Sequence, residues 1–361
     1  MKIAMIINSS SGLYNFRKDL ILRMIADGHE VIALTPIEER ADQLREMGVR
    51  LIDTKIDRRG MNPIHDLSLF RQYRRILKKE KPDIAVTYTI KPNIYGGIAC
   101  RMSGIAYAGN ITGLGTAFEN TGMLRKVVTV MNKVALKKAK CVFFENSENR
   151  DLFVNEGIVR KNQTVLLNGA GVNLEHFSYM PYPDDTKGIR FLFMGRVMKE
   201  KGIEELFEAM QKLTAEGNNC FLEVLGSFEE KYEQEIEQHV KEGWLVFHGY
   251  QADVRPFIAK THCFVLPSYH EGMANTNLES AATGRPIITS NIAGCREAVI
   301  DGKSGYLCNP KNVDDLYKAM KKMIEMNNLE REKMGIEGRN YMVDRFDKMK
   351  VVEETIRAMQ L

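Results

Sequence analysis

The stretch 2-KIAMIINSSSGLYNFRKDLILRMIADGHEVIALT-35 holds one full period of a plan that repeats through the chain. Its ends, 2-KIAMIIN-8 and 30-EVIALT-35, are short apolar runs rich in β-branched residues and bounded by polar ones, the pattern of buried strands. Between them 16-FRKDLILRMIADG-28 spaces its apolar residues at the helical period and stops at Gly28, a residue suited to a helix C-cap. Strand, helix and strand in that order predict a right-handed βαβ unit, and therefore a parallel sheet.

Further strand-like runs follow at 49-VRLIDTKI-56, 83-DIAVTYT-89, 105-IAYAGNI-111, 141-CVFFEN-146 and 164-TVLLN-168. The stretch 178-SYMPYPDDTKG-188, with two prolines and little periodicity, reads as an interdomain linker. After it the plan restarts at 189-IRFLFMG-195, 219-NCFLEVLG-226, 244-WLVFHG-249, 262-HCFVLPS-268 and 286-PIITS-290. The expected fold is α/β: two Rossmann-like doubly wound domains, residues 1–178 and 189–344, each with its own parallel sheet, followed by a last segment, 345–361. Ligands are expected in a shared cleft at the carboxyl ends of the strands.

Composition fits a folded globular protein of 361 residues, with 44% hydrophobic and 27% charged residues. No run approaches the ~18 uninterrupted apolar residues that a membrane span needs, and the apolar part of the opening MKIAMIINSS is short for a secretion signal. Six scattered cysteines without a C-x-x-C pair indicate neither a disulfide framework nor a zinc site and suit a reducing cytoplasm. Charge divides unevenly, with 27 basic against 18 acidic residues in 1–180 and 24 against 29 in 181–361. Basic runs at 71-RQYRRILKKEK-81 and 125-RKVVTVMNKVALKKAK-140 could serve anionic lipid, a phosphorylated acceptor or nucleic acid, or could simply be solvated helix faces. A nucleic-acid module would need interleaved aromatics and a binding motif, which the chain lacks, so no nucleic-acid partner is expected.

Chemistry concentrates in 267-PSYHEGMANTNLESAATGRPIITS-290, which runs from a strand through a polar loop into a helix. Glu271 falls in the loop and Glu279 on the helix, whose start Asn275 or Thr276 could cap. A carboxylate accepts paired hydrogen bonds from a vicinal diol, so Glu279 suits a ribose and Glu271 the hydroxyls of a transferred sugar. Backbone N–H groups from Met273 through Ala274 and Asn275 to Asn277 suit a phosphate. In 194-MGRVMKEKGIEELFEAM-210, Arg196 leaves a strand and Lys201 opens a helix, so the two cations can converge on one diphosphate leaving group. No D-x-D triplet is present to hold a divalent ion, and a metal-independent reaction is expected. Any one of these residues alone is as well explained by a surface or capping role; their shared place at strand ends in one domain carries the reading. His270 could orient the loop or touch the donor.

Gly195-Arg196, Lys201-Gly202 and Glu271-Gly272 through Glu279 resemble the retaining glycosyltransferases of family 4, which have the GT-B fold. The resemblance spans essentially the whole chain. It implies that Glu271 contacts the donor sugar, Glu279 the ribose, and Arg196 with Lys201 the pyrophosphate of a UDP-sugar, with Gly272, Met273, Ala274 and Asn275 lining the donor site. Met273-Ala274 stand where many members have Phe-Pro. It further implies front-face transfer, in which the leaving phosphate takes the acceptor proton and Glu271 orients the sugar without attacking it. The segment 345–361 resembles the family's C-terminal helix that crosses back to the first domain.

Segments 10-SSGLYNFRKDL-20, 87-TYTIKPNIYGGIACR-101 and 110-NITGLGTAFEN-120 resemble the capsule-type branch, bacterial enzymes adding N-acetylhexosamines or related sugars to polyprenyl-pyrophosphate-linked glycans. Each is expected in a loop after a strand, with Gly12 allowing close approach to the donor. Tyr14, Arg17, Lys91, Asn93, Asn110 and Thr112 are then candidates for binding the acceptor sugar or its phosphates, although Tyr14 and Asn93 could equally be packing or capping residues. Where some relatives carry a histidine, this chain has Ile90. A lipid-linked acceptor implies peripheral contact with the anionic inner face of the bacterial plasma membrane. The alternatives are a sugar-nucleotide epimerase of the same fold and a glycosyltransferase with a soluble acceptor.

Overall fold

The computed structural model describes residues 1–58, 60, 62–114 and 122–361. Contacts divide the chain into two compact units, Met1–Ala170 with Met349–Leu361, and Gly171–Lys348.

In the first unit the described strands are β1 (Lys2–Ile6), β2 (Glu30–Thr35), β3 (Arg50–Asp53), β4 (Ile84–Tyr88), β5 (Ala106–Ile111), β6 (Val142–Phe144) and β7 (Thr164–Leu166). They form one parallel sheet in the order β3-β2-β1-β4-β5-β6-β7. Both faces are covered, which is why β1 and β4 are apolar along their length. Helix α1 (Ser10–Ala26) lies on one face; α2 (Ala41–Glu46) joins β2 to β3. On the other face lie α3 (Pro63–Glu80), a π-helical turn (Pro92–Gly96), α4 (Gly97–Ser103) and α5 (Met123–Leu136). Helix α6 (Ser147–Asn155) follows β6.

The segment expected as a loop at 10–20 is helix. Ser9 caps α1, its Oγ accepting from the Gly12 N–H at 3.2 Å. Gly12 therefore sits in a first helical turn, and its φ is not positive. The segment 87–101 likewise runs from β4 through a single positive-φ residue, Thr89, into helix. Of 110–120, residues 115–120 lie outside the described residues.

In the second unit β8 (Ile189–Met194), β9 (Cys220–Leu225), β10 (Leu245–Gly249), β11 (Cys263–Leu266), β12 (Ile287–Ser290) and β13 (Gly305–Cys308) form a parallel sheet ordered β10-β9-β8-β11-β12-β13. The last of these has no clear sequence signature, because GYLC is short, itself begins with glycine and has polar residues on either side. Helices α7 (Ile203–Ala215), α8 (Glu233–Glu242), α9 (Arg255–Ile258), α10 (Asn275–Ala282), α11 (Val313–Glu325) and α12 (Asn328–Arg345) complete the unit. Asn312 caps α11 through the Asp315 N–H, and Asn327 with Glu330 makes a capping box on α12.

The 178–188 stretch expected as a linker belongs to this second unit. The fully buried Arg285 donates to the carbonyls of Met180 and Pro181, Arg331 pairs with Asp185, and the Tyr182 hydroxyl donates to His262 O at 2.6 Å. A guanidinium presents five donors in a fixed fork, so Arg285 satisfies carbonyls of a chain that has no regular structure of its own. The segment is consequently clamped down. Beyond α12, helix α13 (Lys348–Met359) packs Val351, Val352, Ile356 and Met359 into the core that also contains Ile3, Leu20 and Met24 of the first unit.

Candidate active site

In the second unit the strand order reverses between β8 and β11, and ligands of open α/β sheets bind at the carboxyl ends flanking such a switch. Arg196 follows β8 and Glu271 follows β11, so neighbouring central strands deliver them to the same edge.

Lys201 closes a short 3₁₀ turn, Lys199–Lys201, and Gly202 turns the chain into α7 at φ 71°. A side chain at Gly202 would collide with the Pro267 carbonyl, so glycine is required both by conformation and by space. This close approach laces the turn to the loop after β11. The Glu200 carbonyl accepts from the Tyr269 N–H at 2.9 Å and from Ser268 Oγ at 3.2 Å. The Tyr269 hydroxyl donates to Glu205 at 2.6 Å. Lys201 Nζ consequently meets Glu271 Oε1 as a half-buried ion pair. An ammonium has three donors, and one of them serves Glu271.

Glu271 is braced from the other side by a turn that the apolar pattern does not mark. Gly294, at φ 84°, approaches so closely that a Cβ there would lie 2.6 Å from Glu271 O and 2.7 Å from Gly272 O. Its carbonyl accepts from the Ala274 N–H at 2.7 Å, and its own N–H donates to Glu297 at 2.7 Å. The one signal in the sequence is a glycine a few residues beyond a strand end. Buried Cys295 lies close enough to sense both Glu271 and Lys201, and burial keeps it a thiol by raising its pKa.

Ala274, not Asn275 or Thr276, is the N-cap of α10, and no side chain caps it. Asn275 instead points its amide at Met273 O, at 3.4 Å. Among the described residues the N–H groups of Asn275 and Thr276 have no backbone acceptor, so the helix start offers donors and a positive dipole end where Glu271-Gly272-Met273-Ala274 deliver it. One turn in, Glu279 is half-buried and pairs with no described side chain. Burial pushes its carboxyl up to about 7, with Lys348 opposing. Asn277, fully buried two residues before it, donates to Thr289 Oγ1 at 3.1 Å.

Arg196 does not join Lys201. Its guanidinium is exposed and lies 3.4 Å from Glu229. A half-exposed ion pair of this length is worth little and can be exchanged for a better anion. His270 is exposed, and its carbonyl accepts from Ser268 Oγ at 3.3 Å. The arrangement provides two cations and a helix start for phosphate oxygens, and two carboxylates for hydroxyls. No group of three or more His, Cys, Asp or Glu side chains that could hold a metal ion occurs among the described residues.

The first unit uses its candidates differently. Arg17 is buried and pairs with buried Glu145 at 2.8 Å, its guanidinium stacking over the Tyr88 ring at 5.0 Å. Burial raises the Glu145 carboxyl and Arg17 opposes the shift. Lys91 donates to Asp66 at 2.7 Å and to Gly60 O at 2.6 Å. Buried Asn93 accepts from Thr87 Oγ1 at 2.6 Å and donates to Asn110 O at 2.8 Å. Asn110 is buried, its Oδ1 without a partner among the described residues, Tyr14 lies under Lys18 and Arg40, and Thr112 is half-buried after β5.

Comparison with known proteins follows the same division. Residues 2–146 match the family model Glycosyl transferase 4-like, and residues 181–341 match Glycosyl transferases group 1. The chain is 25% identical over 90% of its length to the N,N'-diacetylbacillosaminyl-diphospho-undecaprenol alpha-1,3-N-acetylgalactosaminyltransferase of Campylobacter jejuni, covering 90% of that protein. It is 28% identical to the UDP-Gal:alpha-D-GlcNAc-diphosphoundecaprenol alpha-1,3-galactosyltransferase of Escherichia coli, over 82% of this chain and 80% of that one. An Anabaena protein solved in complex with UDP superposes with a TM-score of 0.81 over the full length of both chains at 15% identity, a likeness of fold. With each half matched by its own model and two parallel α/β units in the structure, the chain belongs to the family 4 type of glycosyltransferase and has the GT-B fold.

Proposed function

We propose that this enzyme transfers an N-acetylhexosamine or related hexose from a UDP-sugar to a polyprenyl-diphosphate-linked saccharide, with retention of anomeric configuration, in the synthesis of capsule or another surface polysaccharide. The observation that carries the reading is the Lys201–Glu271 pair at the approach to the uncapped start of α10, with Glu279 one turn inside. The names of the similar Campylobacter and Escherichia enzymes, both acting on undecaprenyl-diphosphate-linked sugars, support the acceptor class, and the second supports a UDP donor.

In this reading the donor diphosphate takes the helix N–H groups and the Lys201 ammonium, with Arg196 swinging from Glu229 to the outer phosphate. Negative charge grows on the terminal phosphate as the glycosidic bond breaks, and cations held in advance stabilise it without solvent reorganisation. They do the work a divalent ion would otherwise do, so the reaction proceeds without metal. Glu271 holds sugar hydroxyls; the departing phosphate oxygen accepts the acceptor proton as the new bond forms on the same face. Glu279 binds the ribose. The acceptor is recognised by the first unit, with Tyr14, Arg17, Lys91, Asn93, Asn110 and Thr112 near or behind its surface, and the enzyme works at the cytoplasmic face of the membrane.

The test is to incubate the purified enzyme, in chelator, with a panel of UDP-sugars and a polyprenyl-diphosphate saccharide. Release of UDP with an α-linked product by NMR is expected. Conversion of donor to an epimer without acceptor would overturn it in favour of an epimerase, and transfer only with added metal would overturn the metal-free scheme.

A further inference from the structure

A helix laid against a sheet normally turns its apolar stripe inward. Helix α5 buries Asn132, Ala135 and Leu136 but leaves Met123, Val127, Val130 and Val134 facing out at 82, 48, 59 and 44% exposure. Steps of four, three and four residues align these four along one solvent-facing line. No described side chain covers them. On the neighbouring α4, Met102 is also more than half exposed, and Arg101 beside it donates to the Val134 carbonyl at 3.0 Å, so the apolar surface continues past the helix.

Charge frames the stripe. Lys126, Lys133 and Lys137 fall within roughly a quarter turn of it on one side, and none has a described carboxylate partner. From Met123 to Lys140 the sequence contains no acidic residue. Two copies of this face brought together would set lysine against lysine, which opposes self-association. No aromatic residue lies on the helix to stack on bases. An outward apolar line edged by lysines is the pattern of a helix lying in a lipid–water interface, its apolar residues in the acyl boundary and its cations among anionic headgroups.

We infer that α5 is the element by which this enzyme docks on an anionic lipid surface, with Met123, Val127, Val130 and Val134 inserted and Lys126, Lys133 and Lys137 on the headgroups. This gives the proposed lipid-linked acceptor a membrane-facing side of the first unit, and so rests on that reading for its purpose, though not for its test. The test is co-sedimentation of the full chain with phosphatidylglycerol-rich and phosphatidylcholine vesicles. Binding to the former is expected. Val127→Glu/Val130→Glu and Lys126→Glu/Lys133→Glu should each weaken it by at least about tenfold, and high salt should abolish the wild-type preference for anionic vesicles. Because all four positions are exposed, both variants should keep the wild-type thermal shift with UDP. Vesicle binding by Val127→Glu/Val130→Glu equal to wild type would overturn the inference. So would a wild-type dimer that this variant dissociates while vesicle binding persists, which would assign the stripe to a second copy. A wild type that binds vesicles but transfers no sugar to any acceptor would leave the docking intact and remove the proposed acceptor instead.

Discussion

The carboxyl edges of the two sheets carry similar inventories of charged residues and use them in opposite ways. In the first unit Arg17, Lys91 and Asn93 are committed to Glu145, Asp66 and Thr87 inside the protein. In the second, Lys201 is paired with Glu271, but Glu279 pairs with no described side chain, Arg196 holds an exposed partner at 3.4 Å, and the start of α10 has no side-chain cap. One edge is satisfied and the other is poised. Polar groups that already have partners hold a shape; those without them carry an electrostatic cost that a ligand of the right charge relieves.

Breaking the poised edge should cost activity more than stability. Lys201→Ala is expected to reduce kcat by about a thousandfold, as when a single fixed charge donor is removed from a transition-state cradle, while stability in urea falls less than for Arg17→Met, because the Glu271 left behind is more open to solvent than Glu145. A variant that keeps normal turnover would end the comparison.

Breaking the satisfied edge should do the reverse. Arg17→Met leaves the Glu145 carboxylate buried without its partner, and unfolding in urea should show a loss of roughly 3–5 kcal/mol. A stability loss below about 1 kcal/mol, together with a large rise in acceptor KM, would mean that Arg17 works on the acceptor more than on the fold.

A finer probe is the pH dependence that Glu279 imposes. Its carboxyl is raised from 4.5 to about 7 in the folded state, so the protein binds this proton more tightly than the unfolded chain does. The associated stability is present in full below pH 4.5 and is lost as pH rises through about 7. Glu279→Gln removes the loss, and the stability gap between variant and wild type should widen across that window by roughly 3 kcal/mol at most. Nucleotide affinity should move the other way, weakening in the variant because an amide accepts a diol poorly. A gap that does not change with pH would show that Glu279 is already compensated.

Much of this architecture is legible in the sequence alone. Two rounds of strand and helix, and the places of Arg196, Lys201, Glu271 and Glu279 in the loops and helices after strands, can be read from local pattern, because strand and helix periods are written residue by residue. Loop boundaries are less legible. Ser9 capping α1 turns an expected loop into helix, and Arg285 draws an expected linker into the second unit, in each case through a hydrogen bond that the pattern of apolar residues does not encode.

The sequence by itself determined the two α/β units and the glycosyltransferase class, and singled out the residues proposed here to meet the donor. Only the tertiary structure decided that Lys201 would face Glu271 across 70 residues while Arg17 was sealed against Glu145 across 128, and that the apolar stripe of α5 would point to solvent. The physical reason is that periodicity determines which faces exist, whereas strand order and close glycine contacts determine which faces meet.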